Sequence, residues 1–159
     1  MLRRPDNPMK PFTDEYAMLE EEQTRLAQEE TVMIDMKASE LRPFVPAKDF
    51  EVSKDFYLSL GCKLEWGDDE LALLSLAGHR FYLQRYYVKE WAENCMLHIA
   101  VEDAAACHKQ IQLLIRSGRH PGARVAAPKA EAYGAIVTYV WDPSGVLLHL
   151  AQWSAQRQA

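Results

Sequence analysis

Two stretches of the chain carry the same order of apolar segments and turn residues, although few residues are identical between them. Each begins with a short apolar segment, continues with a helical pattern behind an aspartate, and ends with further strand-like segments. A repeat of this kind indicates two copies of one supersecondary unit that pack together. We therefore predict two modules, residues 41–87 and 94–153, each made of a strand, a helix and further strands.

The helix of the first module is defined by the residues at its two ends. Asp49 can accept hydrogen bonds from the backbone of the first turn, and Gly61 is typical of a helix end. Phe50, Phe56 and Tyr57 line one side of this helix and predict its buried face. The predicted strands of this module are residues 41–45, 62–66, 71–76 and 80–87, the last two joined by the turn Ala77-Gly78-His79.

The second module follows the same order. Residues 96–101 are a predicted strand, Asp103 begins a helix, and Gly118 ends it. A stretch rich in Pro, Gly and Ala is then predicted as a loop. The module closes with predicted strands at 135–141 and 146–153, joined by the turn Asp142-Pro143-Ser144-Gly145.

Residues 1–40 differ in composition from the modules, and residues 154–159 are read as a short tail. Residues 14–30 hold seven acidic side chains against Arg25 alone, and a narrow apolar stripe recurs at helical spacing. We predict an acidic helical extension. It could pack on its own domain, reach a second subunit or cover the mouth of a pocket, so a structural or partner-binding role stays open.

Composition excludes several classes of protein. The formal net charge is -5 and the basic residues do not cluster, which argues against nucleic acid as a partner. The sequence has no apolar run near the ~20 residues that span a bilayer and no secretory signal, so we expect a cytoplasmic protein that does not bind membranes. The three cysteines show no CxxC spacing and are predicted to be reduced thiols.

Several short segments together resemble the glyoxalase/bleomycin-resistance family of the vicinal oxygen chelate superfamily. FVPAKDF at 44–50, with the aromatic pair at 56–57, resembles the opening strand and helix of that family. WDPSGVLL at 141–148 resembles its final hairpin, while FYLQ at 81–84 and VEDA at 101–104 fall where its first module ends and its second begins. The resemblance implies an α+β fold of two βαβββ modules that form a curved mixed sheet or partial barrel, and a homodimer.

The metal-binding positions of that family are not matched here. Metal-dependent members use His, Glu, His and Glu on four strands, and the resemblance places Arg42, Gln84, Met96 and His149 there. Guanidinium cannot donate a lone pair to a metal, and amide and thioether are poor ligands for hard or borderline ions. His98 lies two residues beyond Met96 on the same strand face, so a local register shift would bring it into ligand range.

The leading hypothesis is a metal-free small-molecule-binding protein with no cofactor and no catalytic residue, which sequesters a cationic or aromatic antibiotic-like ligand. The alternative is a metal-dependent lyase or dioxygenase that uses His98 and His149, so whether the chain is an enzyme stays open. Aromatic walls with a few polar groups suit flat or cationic ligands. The candidate ligand-binding residues are Arg42, Trp66, Tyr82, Gln84, Tyr86, His98, Tyr133 and His149.

Overall fold

The computed structural model describes Met18 and residues 34–154. The predicted acidic helix, apart from Met18, and the tail beyond Ser154 lie outside the described residues. The chain divides between Ser39 and Glu40 into two units, and the second unit is described below by itself. Within the described residues, no helix is long and apolar enough to cross a membrane.

The first module is a four-stranded mixed sheet with one helix. The strands lie in the order β1-β4-β3-β2, with β1 parallel to β4 and the other neighbours antiparallel. Asp49 caps the helix, since its side chain accepts a hydrogen bond from the Val52 amide. The elements are β1 Phe44–Pro46, α1 Phe50–Ser59, β2 Lys63–Gly67, β3 Leu71–Leu76 and β4 His79–Gln84.

The second module repeats this arrangement after a short helix, α2 Lys89–Ala92, in the connection. Its strands lie in the order β5-β9-β8-β6, β5 is parallel to β9, and β7 also pairs with β8. Asp103 caps α3 by accepting from the Ala106 amide. The elements are β5 Met96–Ala100, α3 Ala104–Arg116, β6 Arg124–Val125, β7 Lys129–Glu131, β8 Ala135–Trp141 and β9 Leu147–Trp153.

The predicted α+β fold of two modules is confirmed, and the described strands form two mixed sheets with no closed barrel. Some boundaries were wrong. The first strand begins at Phe44, three residues later than predicted, and β4 ends at Gln84. The predicted loop after Gly118 contains β6 and β7, which are only two and three residues long. Strands this short carry no readable alternation of apolar and polar residues.

The larger of two hydrophobic clusters joins the two modules on the helix side of both sheets. Alternate residues of each strand point into it, so Phe81 and Leu83 of β4 are buried, as are Leu148 and Leu150 of β9. The largest fully buried side chain is Tyr57 of α1, and it packs in this same cluster. The opposite face of the second sheet carries a smaller buried cluster of Ala135, Val137 and Ala151, against which Tyr139 and Trp153 pack.

The turn between β8 and β9 fastens the second module to α1 of the first. The Tyr57 hydroxyl donates to Asp142 Oδ2 at 2.9 Å, and the hydroxyls of Ser53 and Ser144 lie 3.0 Å apart. Asp142 Oδ1 also accepts from the amides of Ser144 and Val146. All four hydrogen-bonding side chains are buried, so this polar network fixes how the modules pack.

Candidate functional site

The first sheet presents an aromatic pair with a guanidinium on the face opposite the core. Phe44 and Tyr82 are register partners on the parallel strands β1 and β4, and their rings stack at 4.9 Å between centroids. Arg42 donates to the Tyr82 hydroxyl at 2.8 Å and pairs with Glu40. The hydrogen bond to Glu40 is the largest cause of a raised pKa at Arg42. Arg42 therefore stays cationic, but its charge is already matched by a carboxylate.

The second sheet presents two imidazoles at the corresponding positions. His98 of β5 and His149 of β9 are register partners across parallel strands, just as Phe44 and Tyr82 are in the first module. Met96, two residues earlier, pairs instead with Leu147. The pairing of β5 with β9 thus places the two histidines side by side. His98, rather than Met96, lies opposite His149, as the predicted register shift requires.

An aromatic cluster surrounds these imidazoles. The Trp153 indole N–H donates to His98 Nε2 at 3.3 Å, and the Trp153 ring lies 5.7 Å from the Tyr133 ring. The Tyr139 ring meets His149 edge to face at 4.9 Å, and its hydroxyl donates to Glu131 at 2.9 Å. We call these six residues the histidine-aromatic face: His98, His149, Trp153, Tyr133, Tyr139 and Glu131.

Three ionisable groups of the histidine-aromatic face have pKa values shifted from their ordinary values. Burial lowers the pKa of His149, and the neighbouring His98 imidazole lowers it further because two adjacent positive charges repel. Burial also raises the pKa of Tyr139, while the hydrogen bond from that tyrosine lowers the pKa of Glu131. Near neutral pH the face therefore holds a neutral imidazole at His149, a neutral phenol at Tyr139 and one carboxylate.

One group of this face has an unused hydrogen-bonding atom. His149 Nε2 is buried and has no hydrogen-bond partner within the described part of the chain. A buried polar atom without a partner costs free energy, on the order of 1–3 kcal/mol.

A groove of about 560 Å³ runs from the first module to the edge of the histidine-aromatic face. Arg80 and His79 of β4 line one side, and His98 and Ala100 of β5 line the other. Arg80 also pairs with Glu40 and Glu65, at 3.6 Å and 3.3 Å. The groove therefore connects polar residues of both modules, within the volume of ~300–1,000 Å³ typical of ligand pockets.

The structure brings some predicted site residues together and separates others. Arg42 contacts Tyr82, His98 pairs with His149, and Tyr133 reaches them through Trp153. Gln84 lies on the same strand face as Tyr82 and pairs with Pro46 and Leu71. Trp66 lies on β2, at the far edge of the first sheet, and Tyr86 lies in the connection against Trp91.

Four residues of these faces were missing from the sequence prediction: Phe44, Trp153, Tyr139 and Glu131. The positions of Phe44 and Trp153 could have been predicted from the sequence. Trp153 is four residues from His149 on one strand, and Phe44 is two residues from Arg42, so alternation alone places them near those side chains. Glu131 carried no such signal because it belongs to the unpredicted strand β7.

The donors present do not fit a metal of the kind that the fold's metal-dependent members hold. No group of three or more His, Cys, Asp or Glu side chains within the described residues is arranged to hold a metal ion. Phe44 and Tyr82 occupy, in the first module, the positions that the two imidazoles occupy in the second. His98 Nε2 already accepts a hydrogen bond from Trp153.

No family model and no curated protein matches the sequence. Solved structures do match. The chain is similar to TnmS3, an antibiotic binding protein from Streptomyces sp. CB03234, at TM-score 0.60 and 22% identity over 76% of this chain and all of that one. It is similar to a bleomycin resistance determinant encoded on the transposon Tn5, at TM-score 0.59 and 22% identity over 74% of this chain and 99% of that one.

A glyoxalase-related enzyme from Fulvimarina pelagi is also similar, at TM-score 0.55 and 17% identity over 72% of this chain and 88% of that one. Likeness at this level of identity establishes the fold alone. It does not establish the function, because one fold hosts many unrelated functions. The chain thus has the fold of the glyoxalase/bleomycin-resistance proteins, as its sequence motifs predicted.

Proposed function

We propose that this chain belongs to the glyoxalase/bleomycin-resistance family and binds a small aromatic ligand on the histidine-aromatic face and in the adjoining groove. The similar structures include a bleomycin-binding protein complexed with bleomycin, which supports a binding role for this fold. Affinity rather than chemistry is the proposed function, since the strand pairing offers two imidazoles where catalysis by a metal would need more donors.

The observation that carries this proposal is the exposure of aromatic rings on the sheet faces. Phe44 is 54% exposed and Tyr133 is 41% exposed, although each already lies against a second ring, Phe44 stacked on Tyr82 and Tyr133 tilted against Trp153. Rings held in place by a partner offer a flat surface with little conformational entropy left to lose. Such surfaces favour a planar ligand that stacks on them.

The charges of the face favour a cationic ring over an anionic one. Glu131 is the one carboxylate of the histidine-aromatic face, and its lowered pKa keeps it ionised at neutral pH. Aromatic faces also attract cations, by ~0.5–2 kcal/mol for each ring. Lys129 lies 3.1 Å from Glu131 and offsets part of this attraction, so stacking is the larger contribution.

The test is calorimetric titration with three probes: bleomycin, 1-methylquinolinium as a flat cation, and 2-naphthoate as an anion of similar ring size. We expect the cation to bind more tightly than the anion. Tyr133→Ala should weaken binding of the cation by about tenfold or less, from the ~0.5–1.5 kcal/mol of one stacking contact. Trp91→Ala is the matched control, because Trp91 is 65% exposed and lies against Tyr86 in the connection. Equal losses in both variants, or no binding of any probe, would contradict the proposal.

The metal-dependent alternative uses the same two imidazoles. His98 and His149 are paired in register, which is the observation in its favour. Elemental analysis of protein purified without chelator separates the two functions. One divalent ion per chain, lost in His149→Ala, would establish the metal-dependent site in place of the metal-free one.

We also propose that the chain forms a homodimer in the cytoplasm. Trp66 of β2 is 52% exposed at the edge of the first sheet, outside the histidine-aromatic face, and offers an apolar ring for a second copy to cover. Sedimentation equilibrium tests the dimer: a mass near 18.2 kDa at micromolar concentration would be that of a single chain and would contradict it.

A further inference from the structure

The helix side of the molecule contains a second cavity, separate from the histidine-aromatic face. It has a volume of about 330 Å³ and lies where the two modules meet. Helices α1 and α3 contribute to it, as do strands β4 and β5. Its lining includes Leu60, Cys62, Phe81, Ile99, Ile111 and Leu114.

The walls of this cavity carry no formal charge. Among the described residues that line it, none is Asp, Glu, Lys, Arg or His. The Tyr57 hydroxyl is already used by Asp142. Burial raises the pKa of Cys62 to about 11 and also raises the pKa of Cys107, so both thiols are neutral at pH 7.

The size of the cavity suits a small molecule. An engineered apolar cavity of about 150 Å³ stays dry and binds benzene, so twice that volume accommodates an aromatic ring with a short alkyl chain. A protein partner would need a surface of ~800 Å² on each side, which a cavity of this size does not supply. An ion would lose its hydration here without gaining a partner.

We propose that this cavity is a second binding site, which takes a small, uncharged, apolar molecule between the helices of the two modules. The cavity adjoins the groove and contains neither histidine of the histidine-aromatic face. The residues that line both are Leu76, Ala77, Phe81, Leu97, Ile99 and Ala100. The cavity differs from the groove in the residues that α1 and α3 add to it, among them Ile111 and Leu114, and the function proposed above does not use these residues.

The reactivity of the three thiols of the chain shows whether a molecule occupies the cavity. Cys62 and Cys107 line the cavity, whereas Cys95 is half-buried outside it and serves as an internal control. The full chain is labelled with iodoacetamide at pH 8 with and without toluene, and the rate at each cysteine is followed by peptide mass spectrometry. Toluene at four times its Kd should slow labelling of Cys62 and Cys107 by about fivefold, because only the free protein reacts. Cys95 should keep its rate, and benzoate, the charged analogue, should slow none of them.

A pair of variants on α3 locates the site. Leu114→Trp places a bulkier ring in the cavity and should weaken the effect of toluene, whereas Leu113→Trp makes the same change at a residue that is 66% exposed and should retain the effect. Thermal unfolding shows whether each variant folds. If Leu114→Trp does not fold, the labelling rates of the unmutated chain with and without toluene decide whether the cavity binds it. Equal slowing at all three cysteines, or no slowing, would overturn the proposal. Labelling of Cys62 and Cys107 that slows with rising protein concentration rather than with toluene would also overturn the proposal. It would show that a second copy of the chain covers the cavity.

Discussion

Replacing Asp142 by Asn should change how stability depends on pH. The Asp142 carboxylate is fully buried and accepts hydrogen bonds from Tyr57, Ser144 and Val146. Burial outweighs these bonds and raises the pKa of Asp142 from its ordinary 3.8 to about 6. The folded protein therefore binds this proton more tightly than the unfolded chain does. The resulting stability is complete below about pH 3 and is lost as the pH rises from there through about 6.

The size of this loss follows from the pKa values. A tenfold change in proton affinity corresponds to ~1.4 kcal/mol, so a rise from 3.8 to about 6 costs about 3 kcal/mol by pH 7. Asn does not titrate, and its carbonyl oxygen can still accept from the amides of Ser144 and Val146. We expect the stability of the wild type relative to Asp142→Asn to fall by about 2 kcal/mol between pH 4 and pH 7, because part of the loss already occurs below pH 4, where the unfolded carboxyl begins to ionise.

Urea unfolding followed by tryptophan fluorescence measures this difference at each pH, and equal m-values show that both proteins unfold to the same extent. Other titrating groups cancel in the comparison. Parallel stability curves for the two proteins over pH 4–7 would refute the reasoning. A wild type that gains stability relative to the variant as pH rises would show that the hydrogen bonds, rather than burial, dominate at Asp142.

Three further outcomes follow from local geometry. Gly122→Ala should cost more than about 2 kcal/mol in urea unfolding, because φ is +91° and a Cβ would lie 2.8 Å from the Pro143 carbonyl oxygen; Gly118→Ala, with open space around it, should cost only about 1 kcal/mol. Ala77→Gly should raise stability by up to about 1 kcal/mol, since Ala77 has φ 50° in the β3–β4 turn; an unchanged or lower melting temperature would count against this. The pKa of the His149 imidazole, measured by NMR, should lie below its ordinary 6.5, so His149 contributes to the stability of the fold above pH 6.5 and this contribution is lost as the pH falls below that value. A midpoint above 6.5 would contradict the burial argument.

The elements with strong local signals were predictable from sequence. The caps Asp49 and Asp103 fixed the starts of α1 and α3, because a side-chain oxygen there satisfies free backbone amides. The Ala77-Gly78 hairpin was also predictable, since both residues adopt the positive φ that a two-residue turn requires. These features depend on residues within one turn of each other.

Features that depend on pairing between distant strands were harder to predict. Alternation placed His98 and His149 on strand faces, but only the register of β5 against β9 shows that they are partners. The contact between Glu131 and Tyr139 needs β7, which is too short to read from a pattern. The composition of the histidine-aromatic face is thus partly visible in the sequence, whereas its geometry is a product of the tertiary fold.

The indole N–H signals of the four tryptophans test most directly whether a ligand lies on the histidine-aromatic face. In a ¹⁵N-labelled sample titrated with 1-methylquinolinium, the Trp153 signal should shift, because its N–H bonds to His98 within the face. The Trp91 signal should stay in place, because that ring lies in the connection between the modules. A shift at Trp91 with none at Trp153, or four unchanged signals at saturating probe, would contradict the proposed site.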